Sequence, residues 1–270
     1  MRGLAGLVVA LLWAMPAVAA EIALDGAFVQ GGLIRGAAGP GADVFLDDRA
    51  LRVSPEGRFV FGFGRDHEGP VRLRVRFANG REEVRNLEVA KRTYDVQRID
   101  GLPPRQVTPS AEDLAQIRRN NAEIGAARAN DLPETWFAQD FIWPSRGRIS
   151  GVYGSQRILN GQPRRPHYGV DIAAPTGTPV VAPAAGRVTL AATHHYYTGG
   201  TIILDHGHGV SSAFLHMDTV TVKVGEVLAQ GDPMGTVGAG GRATGPHLDW
   251  RINWFKVRID PTTIVGPMTP

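Results

Sequence analysis

Apart from one helix, the sequence predicts an all-β protein: a small N-terminal β-sandwich, a connector, and a larger C-terminal antiparallel β domain. Three observations predict it. Residues 21–90 are short alternating runs separated by turn residues. Residues 141–270 are again strand-like and dense in Gly and Pro, with almost no helical periodicity. Between them, only the stretch at about 110–129 carries a helix start signal and helical spacing.

Residues 1–20 read as a secretory signal peptide: a basic Arg2, an apolar run from Leu4 to Met15, then Ala17 and Ala19 spaced as a cleavage site. The apolar run is shorter than the ~20 residues a membrane span needs. No later segment is apolar enough to span either, so the expected location is periplasmic or secreted. Cysteine is absent from the 270 residues, so apolar cores or a metal must replace the disulfides common in exported domains. A formal charge of only +3 is no nucleic-acid footprint.

The sandwich, residues 21–90, is clearest at VRLRVRFANGREEV. Val71, Leu73, Val75 and Phe77 alternate with Arg72, Arg74 and Arg76, and Asn79-Gly80 supplies a hairpin turn. The arginine row reads as the solvated face of a sheet. GRFVFGF at 57–63 and ADVFLDD at 42–48 predict further strands. The connector, residues 91–140, opens with proline-rich LPPRQVTPS, expected to be extended. Its helix has Ser110 and Asp113 in a capping-box arrangement, with Leu114, Ile117 and Ile124 on one face.

Seven of the eight histidines fall in residues 141–270. Such clustering in a β domain without cysteine makes a metal or acid–base site the first hypothesis. Three places stand out. In PHYGVD, His167 and Asp171 are four apart. On a straight strand their Cα atoms would be ~13 Å apart, so serving one centre needs a bend, which Gly169 permits. AFLHMD places His216 between strand-like segments. In GPHLDWRINW, His247 and Asp249 are one strand step apart on one face, with Leu248, Trp250 and Ile252 on the other. The remaining histidines have plain readings: His206 and His208 in a turn, and His194-His195-Tyr196-Tyr197 in an exposed loop at a groove rim. GTVGAGGRATG lacks the Lys-Ser/Thr ending of a phosphate loop and reads as turns that bring His247 into place.

Taken in order, GVYGSQR, the HxxxD of His167 and Asp171, APTGTPVVAPAAGRV, DHGHGVSSAFLH, VKVGEVLAQGDPMGTVG and GRATGPHLDW resemble the M23 (LytM/lysostaphin-type) zinc metallopeptidases over roughly residues 147–260. The resemblance implies the family's duplicated-hybrid-motif-like β domain. It also implies that His167 and Asp171 are the first two zinc ligands, and that His216 and His247 are active-site imidazoles outside the ligand set. The third ligand is the second His of the family's HxH motif, and here that position is Asp249. Zinc accepts carboxylate oxygen as well as imidazole nitrogen, although a second carboxylate lowers the charge of the centre and tilts it toward a harder ion such as Mn²⁺.

Two functions follow from the resemblance. One is an exported endopeptidase hydrolysing peptidoglycan stem or cross-bridge peptides with metal-activated water. No HExxH glutamate is present, so proton transfer and oxyanion stabilisation fall to His216 and His247. The other is a catalytically degenerate relative that binds or activates other cell-wall hydrolases or a divisome partner. A carrier-domain reading with Lys223 as attachment site fits less well, because Lys223 lies two residues before Gly225, where such domains have a later strand.

Overall fold

The computed structural model describes residues 21–99, 110–159 and 161–268. Residues 1–20, where the sequence predicts a signal peptide, and the proline-rich segment 101–109 lie outside them. The protein is mostly β, as the residue pattern predicts. Its first part holds β1 (Ala23–Gly26), β2 (Leu33–Ala37), β3 (Asp43–Leu46), β4 (Arg49–Ala50), β5 (Arg58–Gly62), β6 (Val71–Arg76) and β7 (Glu82–Leu87). They form two small sheets, β1-β2-β5 and β4-β3-β6-β7. On β6 the alternation behaves as read. Val71, Leu73 and Val75 are buried, while Arg76 pairs with Asp43 and Arg74 lies over the Phe45 ring.

The connector contributes β8 (Val96–Ile99) and α1 (Ala111–Ala127). The capping box is present in both directions: the Asp113 N–H donates to Ser110 Oγ and the Ser110 N–H to Asp113 Oδ2, each at 3.1 Å. The helix is not free-standing. Ile124 and Ala127 join a small apolar cluster with Ile203, Ala213 and Leu215 of the large sheet.

The C-terminal part holds β9 (Arg148–Gly151), β10 (Gln156–Leu159), β11 (Gln162–Pro163), β12 (Val170–Ala173), β13 (Pro179–Val181), β14 (Gly186–His195), β15 (Gly199–Gly207), β16 (Val210–Val220), β17 (Val227–Leu228), β18 (Pro233–Val237), β19 (His247–Trp254) and β20 (Val257–Ile259). Ten of these strands make one sheet whose main path runs β17-β14-β15-β16-β19-β12-β9. β15 and β16 turn on His208 and Gly209, both with positive φ, which is the two-residue hairpin geometry matching sheet twist. The connector strand β8 adds in parallel to β10, a pairing that local sequence periodicity does not encode.

One apolar core runs through both β parts, from Leu33, Phe59 and Phe61 to Ile172, Trp250 and Ile259. The seam is also polar. Arg92 donates to Asp260 Oδ2 at 2.7 Å, and Arg65 Nε donates to the Gly154 carbonyl at 2.8 Å. Gly62 lets the two parts pack closely here, since a Cβ would come within 2.4 Å of Ile259 Cδ1 and force that side chain to shift.

Two expectations about histidines are corrected. His206 lies inside β15, fully buried, and not in the turn that holds His208. Its Nδ1–H donates to the Ala185 carbonyl and its Nε2 accepts from Ser212 Oγ, both at 2.7 Å. A neutral ring is therefore fully satisfied, tying β15 to the segment before β14 and to β16. His195 is buried as well, with Nε2 3.0 Å from Glu123 of α1. The helix covers what looks like an exposed loop when the chain is read alone.

Burial holds His206 near pKa 4, below the ordinary 6.5. Above pH 6.5 the ring is neutral in both folded and unfolded chains, so its contribution is fully present there. As pH falls from 6.5 toward 4, only the unfolded chain takes up the proton, and up to about 3 kcal/mol is lost. His206→Ala should cost roughly 2–4 kcal/mol at pH 8 through the cavity and the two orphaned partners. Denaturant melts of parent and variant should show that deficit shrinking toward pH 4. A deficit that stays constant with pH would contradict a neutral buried ring.

Candidate metal centre

β19 presents the core of the site through strict alternation. Leu248, Trp250, Ile252 and Trp254 are buried on one face, leaving His247, Asp249, Arg251 and Asn253 on the other. Strand register then brings further groups alongside. Asp249 is directly opposite Asp171 of β12 on one side and Leu215 of β16 on the other. Asp171 in turn faces Gly151 of β9.

His167 arrives from the turn just before β12, held by its N–H on the Ser155 carbonyl and its own carbonyl on the Gly154 N–H. Its Nε2 lies 3.2 Å from Asp171 Oδ1. The bend expected at Gly169 is required by space: a Cβ there would sit 2.4 Å from Asp249 Oδ1 and 2.7 Å from the Trp250 carbonyl. The donor atoms of His167, Asp171 and Asp249 all lie within 4.8 Å of one another. His167 Nε2 and Asp171 Oδ1 are buried and, beyond their own 3.2 Å contact, have no hydrogen-bond partner among the described residues. Two buried ligand atoms with no partner beyond each other, beside a third carboxylate, fit a cation, because buried polar groups ordinarily fill their hydrogen-bonding capacity.

Asp249 has a further neighbour, Arg251, two residues along the same face. Arg251 Nε donates to Asp249 Oδ1 at 2.9 Å, and its Nη2 to Oδ2. Burial alone would push the Asp249 carboxyl up, but the charge and hydrogen bonds of Arg251 override it and hold the group below its usual range. Burial also works to lower His167. The Asp171 contact and the Asp249 charge win there and raise it, so a metal would compete with a proton for Nε2.

Two imidazoles stand beside this triad, with ring centroids 4.8 Å apart. His216 Nδ1–H donates to the Gly240 carbonyl and His247 Nδ1–H to the Gly245 carbonyl, each at 2.8 Å. Carbonyls only accept, so each neutral ring keeps Nε2 as its basic nitrogen. Burial pushes the His216 pKa down, leaving the ring neutral near pH 7. His216 sits at a β-bulge. Between Phe214 and Met217 two residues of β16 oppose one of β15, and His216 has φ 65°. That left-handed residue breaks the alternation, so His216 and its neighbour Leu215 both line the groove. The glycine-rich segment after β18 does what its sequence suggests, bridging Gly238 to His247 and supplying the Gly240 carbonyl.

The structure thus gathers His167, Asp171, His216, His247 and Asp249 in one place. Reading the sequence missed Arg251, although the alternation that joins His247 to Asp249 extends to it. Gly151 was also missed, and only the β9–β12 pairing reveals it. Tyr196 and Tyr197 line the groove as expected of a rim.

Residues 165–261 match the sequence model of Peptidase family M23. The crystal structure of a protein described as a peptidase M23 from Pseudomonas aeruginosa is 31% identical, with a TM-score of 0.68 over 89% of this chain and 96% of that one. Among curated relatives, the peptidoglycan DD-endopeptidase ShyA of Vibrio cholerae is 35% identical over 40% of this chain and 25% of its own length. The cell division protein DipM of Caulobacter vibrioides is 34% identical over 47% of this chain and 20% of its own length. The chain therefore spans a quarter or less of these two relatives.

A Cβ on Gly151 would sit 2.1 Å from Asp171 Oδ2. Gly151→Ala should therefore fold but displace that carboxylate. In thermal melts, saturating zinc should stabilise the parent by roughly 3–4 kcal/mol, as ligand at several hundred times its Kd does, and should leave Gly151→Ala almost unmoved. Equal stabilisation of both would remove Asp171 from the centre.

Proposed function

The chain belongs to peptidase family M23, and on that footing we propose that it is an exported, divalent-metal-dependent endopeptidase that hydrolyses stem or cross-bridge peptides of peptidoglycan. The observation that carries the reading is the convergence of His167, Asp171 and Asp249, whose ligand atoms lie within 4.8 Å of one another, two of them buried with no partner beyond each other. Zinc suits one imidazole and two carboxylates, and manganese is the alternative favoured by the oxygen donors.

His167 Nε2, Asp171 Oδ1 and one oxygen of Asp249 would hold the cation, and Arg251 would fix the Asp249 carboxylate from behind. A second carboxylate in place of an imidazole would cancel the dication's charge, but Arg251 adds one positive charge back. With Arg251 counted, the centre is net positive, as it is with the family's usual pair of histidines and one aspartate. A dication there supplies Lewis acidity, polarising a peptide carbonyl and making water acidic enough to attack near neutral pH.

The rest of the chemistry belongs to the chain. With Nδ1–H committed to backbone carbonyls, His216 and His247 each offer Nε2 to take a proton as the tetrahedral centre forms. Once protonated, either ring donates Nε2–H to the developing oxyanion or to the leaving amine. Their 4.8 Å ring separation allows both to act on one substrate. Export rests on residues 1–20, and the cell-wall substrate draws support from the DD-endopeptidase relatives.

Metal stoichiometry and muropeptide turnover, measured across folded variants, test the assignment. Asp249→Ala and His167→Ala should lose metal and activity together. His216→Ala and His247→Ala should keep the metal while turnover falls by about 10²–10⁴. A parent chain that binds no metal and cuts no muropeptide would favour a protein that binds or activates other cell-wall hydrolases.

A further inference from the structure

Beside the metal centre lies a groove of about 1740 Å³ with an unusual charge balance. Its charged lining includes Arg128, Arg165, Arg251 and Arg258, against the carboxylates of Asp95 and Asp171. Asp171 faces His167 and the ligand triad, and Arg251 is already committed to Asp249. That leaves cations in excess.

Arg128 is the most telling of them. It caps the C-terminus of α1, its N–H bonded to the Ile124 carbonyl, so the connector delivers it to the groove wall. Its Nε is buried with no hydrogen-bond partner among the described residues. Burial first, then the charges of Arg258, Arg251 and Arg165, push its pKa down to about 9. A guanidinium keeps its proton, so Arg128 is a largely buried cation beside like charges, offset only in part by Asp249. Burial, then Arg251 and Arg165, lower Arg258 to about 10, and among the described residues its side chain bonds to the neutral amide oxygen of Asn253. Arg165 and Arg258 both lie near the Tyr168 ring, at 5.6 Å and 6.0 Å. A half-buried cation with an unmet donor is costly unless an anion completes it, and the planar fork of arginine matches a carboxylate.

We propose that Arg128, Arg165 and Arg258 form a carboxylate-binding subsite that fixes an acidic peptide in the groove. The inference rests on the endopeptidase reading only in taking a peptide as the occupant. Stem peptides carry free carboxylates on an acidic residue and at the C-terminus, and either source presents the same group. Held by the connector's arginine, that carboxylate sets which peptide bond reaches the centre. The connector is then part of the substrate site.

The test is binding of a dye-labelled stem tripeptide to the metal-loaded full-length mature chain, read by fluorescence anisotropy. The tripeptide has no cross-link to be cut. Four forms are compared: the diacid, the two single amides, and the diamide. The parent should bind the diacid on the order of tenfold more tightly than the diamide, the scale of one charge-assisted pair. The single amide that loses this preference identifies the carboxylate involved. Arg128→Met should bind diacid and diamide alike with metal content unchanged, and Arg128→Lys should keep part of the preference. Arg165→Met, at an exposed position with little packing to lose, should reduce it several-fold and gives a second test should Arg128→Met fold poorly. Equal or undetectable binding of diacid and diamide by the parent overturns the proposal, as does a preference that survives both methionine variants. A chain that keeps the preference but cuts no muropeptide would refute the hydrolase reading and leave the subsite standing.

Discussion

The centre depends on one strand register, which sets Asp171 of β12 opposite Asp249 of β19. Directly paired residues on one face of a sheet have Cβ atoms ~5 Å apart. Two carboxylates at that spacing repel by about 3 kcal/mol at the effective dielectric of a protein site. Burial makes each charge harder to keep. The sheet can hold this register only if positive charge is supplied locally, and Arg251 supplies part of it through two N–H donors. The proposed dication would supply the rest. Gly151 and Gly169 are the steric side of the same constraint, since a side chain at either would occupy the space of a carboxylate.

The surrounding architecture serves that register from a distance. β20 follows β19 after a tight turn and leads into Asp260, whose carboxylate is buried against Arg92 and the Thr262 N–H. The Asp260 N–H bonds to the Gly31 carbonyl of the sandwich. The N-terminal sheets therefore grip the strand hairpin that carries His247, Asp249 and Arg251. A shared apolar core makes the sandwich a mechanical support for this strand, whatever else it binds. The connector works from the other side, with β8 on β10 and α1 against the β14–β16 face.

Much of this was legible because it is local. Period-two alternation gave the two faces of β19 and β6, Asn79-Gly80 gave a hairpin, and Ser110 with Asp113 gave the helix start. The five candidate site positions were legible through ordered motif blocks, and the structure brings all five together. What escaped depends on contacts distant in sequence. His206 looks like a turn residue until β14 and β16 close over it. His195 looks exposed until α1, more than sixty residues earlier in the chain, supplies Glu123. The parallel pairing of β8 with β10 leaves no mark on the periodicity of either segment. The bulge that aims His216 comes from a count of residues on two strands, and one strand alone cannot reveal it.

Asp249 and Arg251 are best understood as one unit. An aspartate alone at position 249 would leave two facing carboxylates and a centre stripped of its positive charge. An arginine alone at position 251 would add a buried cation to a groove already rich in arginine. Together they preserve the charge that a neutral histidine at 249 would give, and the fork of Arg251 fixes the shorter carboxylate against rotation. Exchanging Asp249 for His by itself would therefore unbalance the site, because Arg251, a largely buried cation, would lose its counter-charge. That uncompensated charge would sit among Arg128, Arg165 and Arg258, whose mutual repulsion is already felt in the groove. Departure from the usual histidine thus reads as a coupled substitution, in which the second residue on the same strand face keeps the first chemically workable.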